Sequence, residues 1–396
     1  MRWFLLAMVL ANIAGTMSRL LMPIYLTQLG ASVGQVGLVF TVSSAAILAL
    51  QILGGWISDN IGRLRAIAIG SVGGIIGFIL MLLAPTWQWM VVALTVSQVP
   101  YALVGPSFGA FIAENSSLAN RGKVYGLTDT IYQVTGIVGP PLGGLLAAQF
   151  GFKPMLFCAA ILYSSAAGLR IWMARTMRPD GERESRALSM ASFKSSMLLI
   201  WTMLIGGGII TWIFLTDSVR DIAFRMSDEL QPLYLQQIGG LSLLQIGLLG
   251  SFFSGAMMLT PLLSGKLADR YGDRVPISAG FLVISAGIMV FLVADSYAAF
   301  ILSWVLSGCG VGLLSPAYQS LVSKVVPNSS LGAFNGVFYS SVGFLALPAP
   351  WLGAQLWEKY DPRLPFFITM VVCILTVIPT WLKFKLPDKK AEEATA

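Results

Sequence analysis

The stretch NIAGTMSRLLMPIYLTQLG, residues 12–30, returns as DIAFRMSDELQPLYLQQIG, residues 221–239. Ile13, Ala14, Met17, Ser18, Leu21, Pro23, Tyr25, Leu26, Gln28 and Gly30 are each matched by the same residue in the second copy. One residue is inserted after the match, and the register then continues at an offset of 210. It pairs Gly37 with Gly247, Gly55 with Gly265, Asp59 with Asp269, Gly62 with Gly272, Pro106 with Pro316, Gly126 with Gly336, Pro140 with Pro350 and Gly143 with Gly353. Chance likeness between apolar segments does not hold one register over most of half a chain. The protein is one half written twice.

Composition says what kind of half. Of the 396 residues 56% are hydrophobic and 11% charged, with a mean hydropathy of +0.78. Apolar runs of about 20 residues, the length that spans a hydrocarbon core, fall near 3–28, 34–57, 67–84, 88–112, 124–149, 153–174, 203–238, 243–266, 276–294, 298–322, 333–356 and 364–384. The expectation is an all-α membrane protein with twelve transmembrane helices in two pseudo-two-fold-related six-helix bundles. The N-terminal bundle covers 1–175, a cytoplasmic linker 176–200, and the C-terminal bundle with a short tail 201–396. The first run follows Arg2 as a signal peptide would, but its repeat in the second half marks it as a retained span.

The net charge of +7 reports topology rather than a nucleic-acid partner. With the N-terminus inside, the basic residues collect on cytoplasmic segments, among them Arg63, Arg65, Arg121, Lys123, Arg170, Arg175, Lys266, Arg270, Arg274, Lys324 and Lys383. The outer loops keep only Lys153, Lys359 and Arg363. This bias places both termini in the cytoplasm of a multi-pass plasma (inner) membrane protein. Asn115 and Asn328 begin glycosylation patterns but fall in cytoplasmic loops. Cys158, Cys309 and Cys373 stand singly in separate spans and there is no histidine, so the sequence offers no metal site, disulfide framework or cofactor. No nucleotide loop or catalytic nucleophile presents itself, which argues against an enzyme.

Two loops carry a repeated signature. GGWISDNIGRLR (54–65) and SGKLADRYGDRV (264–275) both read G-x-x-x-D-x-x-G with basic residues beside them. They contain Gly55, Asp59, Gly62 and Arg63 in one copy and Gly265, Asp269, Arg270 and Gly272 in the other. The glycines suit a tight turn, and the aspartates can cap a helix or pair with arginine. With twelve spans and a six-plus-six repeat, these loops make the whole chain resemble the major facilitator superfamily of secondary transporters. The resemblance implies two bundles that rock about a central site, with Asp59 latching the cytoplasmic face against the start of span eleven near Gly332. It also implies a functional monomer. GIVGPPLGG (136–144) resembles the glycine-proline signature of that family's drug and proton antiporters through Gly139, Pro140 and Gly143. Thr135 stands where a further glycine belongs, and span four, ALTVSQVPYALVGP (93–106), lacks the arginine those antiporters carry. Tight helix packing is the other reading of the same residues.

Charge at membrane depth costs about 2.5–3.5 kcal/mol per residue on insertion scales and marks pathways or pairing sites. DSVRDIAFRMSDELQPLY (217–234) holds Asp217, Arg220, Asp221, Arg225, Asp228 and Glu229. At about 100° per residue, Asp217, Asp221, Arg225, Asp228 and Glu229 share one face, opposite Val219, Ile222, Ala223, Met226 and Leu230. The repeat aligns Arg19 with Asp228 and Asn12 with Asp221. In the family, spans one and seven both line the central cavity, so Arg19 and Asp228 would approach across the substrate path. The expected substrate and proton site is Arg19, Asp221, Arg225 and Asp228, with Asp129, Asn12, Gln98 and Tyr101 near it; Trp304, Tyr318 and Gln319 are further lining candidates. A static charge network, or arginine and Glu229 reaching for the outer surface, are the alternatives. The leading reading is proton-coupled antiport of a small cationic or zwitterionic compound. Organic anions or lysophospholipids held by Arg19 and Arg225 form the second reading, and a transport-dead membrane sensor the third.

Overall fold

The computed structural model describes residues 2–115, 118–176, 206–326 and 331–385, and they form helices and turns with no strand. The linker at 177–200 lies outside the described residues. Among the described residues, nine helices are long and apolar enough to cross a membrane, matching spans three to six and eight to twelve. The other three depart from that test for visible reasons. Span one is two helices, Arg2–Arg19 and Met22–Gln28, bent by 48° at a break. Span two, on helix Val33–Ile61, includes side chains at 51–60 outside the described ones. Span seven, Ile209–Ser227, carries the charges. The architecture is the expected all-helical one.

By packing, the chain divides into two compact units. One holds Met1–Ala187, Arg225–Gly255 and Leu347–Pro365; the other holds Leu188–Phe224, Ala256–Ala346 and Phe366–Ala396. In the first unit, span one packs on spans five (Leu118–Phe150) and six (Phe152–Thr176), and span three (Arg63–Leu83) packs on four and six. Phe4, Met8, Ile67, Val104, Phe108, Phe111 and Met173 form a core there. In the second unit, spans nine (Arg274–Val293) and ten (Tyr297–Val325) pack along each other. Its core joins Ile277, Phe281, Ile284, Tyr318, Phe338 and Cys373.

The repeat is visible as matched close approaches. A Cβ on Gly70 would press on Leu103 and Val104, and one on Gly280 would press on Gly310 and Leu314. Small residues at these positions let helix backbones meet where side chains could not. Gly62 and Gly272, the last glycines of the two loop signatures, take φ of +91° and +84°. Only glycine enters that region cheaply, so both signatures are tight turns into the next span.

Candidate functional site

Spans one and seven both break, and at matching residues. The first helix of span one ends at Arg19 and resumes at Met22, with Pro23 in the new first turn. Helix Ile209–Ser227 ends one residue before Asp228, passes through a 3-10 turn at Asp228–Leu230, and resumes at Gln231 with Pro232 in its first turn. Proline suits a helix start and not its interior, so the paired prolines set the paired breaks. Span seven is therefore not the continuous amphipathic helix that its spacing suggests.

Two glycines hold the breaks. A Cβ on Gly143 would run into the carbonyl of Met17, and one on Gly353 into the carbonyl of Met226, the repeat mate of Met17. Gly139 lies in the same way against Thr16, whose hydroxyl donates to the Thr135 carbonyl at 3.0 Å. The glycine-proline segment of span five is thus the seat on which the end of span one rests.

At the breaks, charges gather. Tyr101, Glu229 and Asp228 are the electrostatic neighbours of Arg19, and Arg19 and Arg225 are those of Glu229. All five belong to the first unit. Arg19 and Asp228 keep accessible surface, while Glu229 and Arg225 are half-buried. Tyr101, on span four, sets its hydroxyl 3.8 Å from where a Cβ on Gly15 would stand, one turn before Arg19. The arrangement is two arginines against two carboxylates beside a phenol. Glu229, placed by its spacing on the charged face of span seven and left out of the expected site, sits among them.

The remaining expected residues divide. Asn12 lies beside the Tyr132 side chain of span five, and Tyr132 also has Tyr101 and Asp129 as neighbours. Gln98 sits at the junction between helices Trp87–Ser97 and Val99–Asn115. Asp221 is half-buried in the second unit. Asp217 is not on an open face: it is 3% exposed and ion-paired with Arg220. The Arg220 guanidinium lies 5.4 Å from the centre of the Tyr318 ring, whose hydroxyl is 3.1 Å from that of Thr216. In the second loop signature Asp269 and Arg270 are exposed. The buried acid there is Asp273, bonded by Lys324 at 2.7 Å. The Gly55 and Asp59 side chains and the start of span eleven at Gly332 lie outside the described ones.

One assignment is corrected outright. Arg170 does not lie on a cytoplasmic segment; it is inside span six, 6% exposed, and its Nη1 donates to Ser71 Oγ on span three at 3.1 Å. Its burial comes from packing with distant spans, which a count of basic residues along the chain does not register.

Comparison with known proteins agrees with this architecture. A sequence model described as Major Facilitator Superfamily matches residues 4–227 and again 222–396. The multidrug resistance protein MdtG of Proteus mirabilis (strain HI4320) is 23% identical over 389 residues, covering 93% of this chain and 92% of that protein. An uncharacterized MFS-type transporter, YttB of Bacillus subtilis (strain 168), is 23% identical over 376 residues, with 92% and 89% covered. Among solved structures, a mutant of the nucleoside transporter NupG superposes with a TM-score of 0.77 at 13% identity, covering 97% of this chain and all of that one. A bacterial homolog of the human lysosomal transporter Spinster, solved inward-facing and occupied, gives 0.75 at 14% identity, with 96% and 95% covered.

Proposed function

The chain belongs to the major facilitator superfamily of membrane transporters, and we propose that it exchanges protons for a small cationic or zwitterionic organic solute. The observation that carries this reading is the cluster of Arg19, Arg225, Asp228 and Glu229 at the two repeat-related helix breaks. Two positive and two negative groups leave no net charge, so the site can open toward a solute only by exchanging partners. A solute cation takes a carboxylate from its arginine; when the cation leaves, a proton can fill its place. An acid without its counter-ion in a poorly solvated site holds a proton more readily, which supplies the coupling. The multidrug-resistance name of the MdtG relative points the same way. An anion or lysophospholipid clamp on Arg19 and Arg225 has less support, because both arginines already face Glu229.

Alternating access needs an end that closes and opens. In the first unit the two sequence halves meet through another exchange of repeat mates: Gly37 fits against the carbonyl of Pro350, and Gly247 against that of Pro140. Glu358 accepts from the Gly34 N–H at 2.7 Å, and Thr41 Oγ1 from the Trp351 N–H at 3.1 Å. With both termini cytoplasmic, this seam is the outer gate in its closed state, and rocking of the two bundles would part it. Reporter fusions at the C-terminus test the orientation.

The deciding experiment is flux in proteoliposomes under an imposed proton gradient, with ethidium, tetraphenylphosphonium and zwitterionic amino acids as probes. Asp228→Asn and Arg19→Ala are each expected to abolish proton-coupled flux while the protein stays folded. Normal flux in both variants removes the proposed site, and ligand binding without any flux in the wild type points to a transport-dead sensor.

A further inference from the structure

The first unit contains a second polar cluster, away from the helix breaks. Arg170 of span six bonds Ser71 of span three, and its electrostatic neighbours are Tyr163 and Tyr132. No carboxylate among the described residues pairs with it. Tyr163 is buried, and a Cβ on Gly74 would overlap its ring, so this glycine reserves the space for the phenol. The Tyr163 hydroxyl lies beside Arg170 and Ser71 but makes no hydrogen bond of good geometry. Tyr132 is half exposed and linked to Asn12 and Tyr101, so the cluster reaches from a buried guanidinium to open surface. Asp129, exposed on the same helix as Tyr132, is an electrostatic neighbour of Tyr132.

The repeat supplies an internal control for what the fold itself requires. At the 210 offset, Ser71, Gly74, Tyr163 and Arg170 correspond to Phe281, Ile284, Cys373 and Thr380. Three of these, Phe281, Ile284 and Cys373, belong to the apolar core of the second unit. The same helix positions therefore pack well without any charge. Burying a guanidinium with only neutral partners is unfavourable by several kcal/mol, and half two shows that no packing need imposes it.

We propose that Arg170, Ser71, Tyr163 and Tyr132 form an anion-binding site for an oxyanion of the carboxylate or phosphate class. Arginine is the suited residue, since its planar fork matches two oxygens of such a group. The unbonded Tyr163 hydroxyl supplies a further donor, and the half-exposed Tyr132 links the cluster to the surface. The oxyanion is either the acid group of a transported zwitterion or a free inorganic ion. The site does not depend on proton coupling at the helix breaks, and it can be tested without flux.

The test is thermal stabilisation of the purified full-length protein in detergent at constant ionic strength. Sodium phosphate and acetate are titrated against chloride. Phosphate or acetate is expected to stabilise the wild type and the Arg19→Ala variant saturably, and chloride is not. In Arg170→Gln the apparent dissociation constant should rise at least tenfold, and in Tyr132→Phe several-fold. Should Arg170→Gln fail to fold, Tyr132→Phe and Ser71→Ala decide. Absence of stabilisation in the wild type, stabilisation by chloride alone, or an unchanged response in these variants overturns the proposal. If a stabilising zwitterion competes with phosphate, the site serves the solute; if the two add, it serves the free ion. Both results uphold the site.

Discussion

Arg170 and Arg220 are both arginines within membrane spans, and the repeat places each where the other half is uncharged. Arg220 and Asp217 correspond to Ala11 and Met8, and Tyr318 to Phe108; Met8 and Phe108 are core residues of the first unit. Arg170, as described above, corresponds to Thr380. Each half thus carries one charged cluster where its twin is uncharged. The difference lies in compensation. Arg220 has an acid one turn away and an aromatic ring against it; Arg170 has hydroxyls only. A compensated pair is a structural object that looks neutral from a distance. An uncompensated one projects charge toward whatever can reach it.

The largest expected effect comes from making the compensated cluster resemble the other. Asp217→Asn removes the acid paired with Arg220 and leaves Asp221 as an acidic neighbour, and loss of one partner of a buried pair typically destabilises by about 3–5 kcal/mol. Denaturant midpoints in detergent should show it, and Asp217→Asn combined with Arg220→Met should recover most of the loss. Arg170→Met, which strands no acid and relieves the burial of an unpaired guanidinium, should leave stability unchanged or raise it by about 1–4 kcal/mol without anions. Equal losses in Asp217→Asn and Arg170→Met would erase the distinction.

The reverse change supplies the missing acid. Ser71 is buried against Arg170, so Ser71→Asp would place a carboxylate in reach of the guanidinium. Its expected effect on stability is about 1–2 kcal/mol in either direction, because the new pair gains attraction and loses solvation together. The informative readout is elsewhere: the stabilisation by phosphate should vanish although Arg170 is still present. A retained phosphate response would mean that the charge of Arg170 was never the attractant.

What the sequence shows of this molecule, and what it hides, follow the same division between local and distant causes. Paired prolines, paired glycines and the alignment of Arg19 with Asp228 are relations within short segments, and a repeat doubles their weight. The charged residues of span seven were equally plain. Yet helical spacing put Asp217 on the same face as Asp228, and the chain breaks between them. Asp217 turns instead to Arg220, three residues on, and Tyr318 covers that pair from span ten. Arg170 gave no local signal. It sits six residues from the end of its helix, where basic residues ordinarily meet the cytoplasm, and only the convergence of spans three, five and six draws it inward. Asp273 was missed for a simpler reason, since it lies just past the loop signature that drew attention to Asp269.

The two phenols give the smallest and most discriminating comparison. Tyr318 shares a buried hydrogen bond with Thr216 at 3.1 Å, whereas the Tyr163 hydroxyl is buried with none of good geometry. Removing a satisfied hydroxyl loses about 1 kcal/mol and leaves its partner wanting, while removing an unsatisfied one can be neutral or favourable. Tyr318→Phe should therefore lower stability by about 1 kcal/mol, and Tyr163→Phe should lower it by less than about 0.5 kcal/mol or raise it slightly. In phosphate the order should invert for Tyr163→Phe, because a bound oxyanion gives that hydroxyl the acceptor it lacks. A Tyr163→Phe variant as stable as the wild type in buffer and less stable in phosphate is the result that a purely structural role for the cluster would not produce.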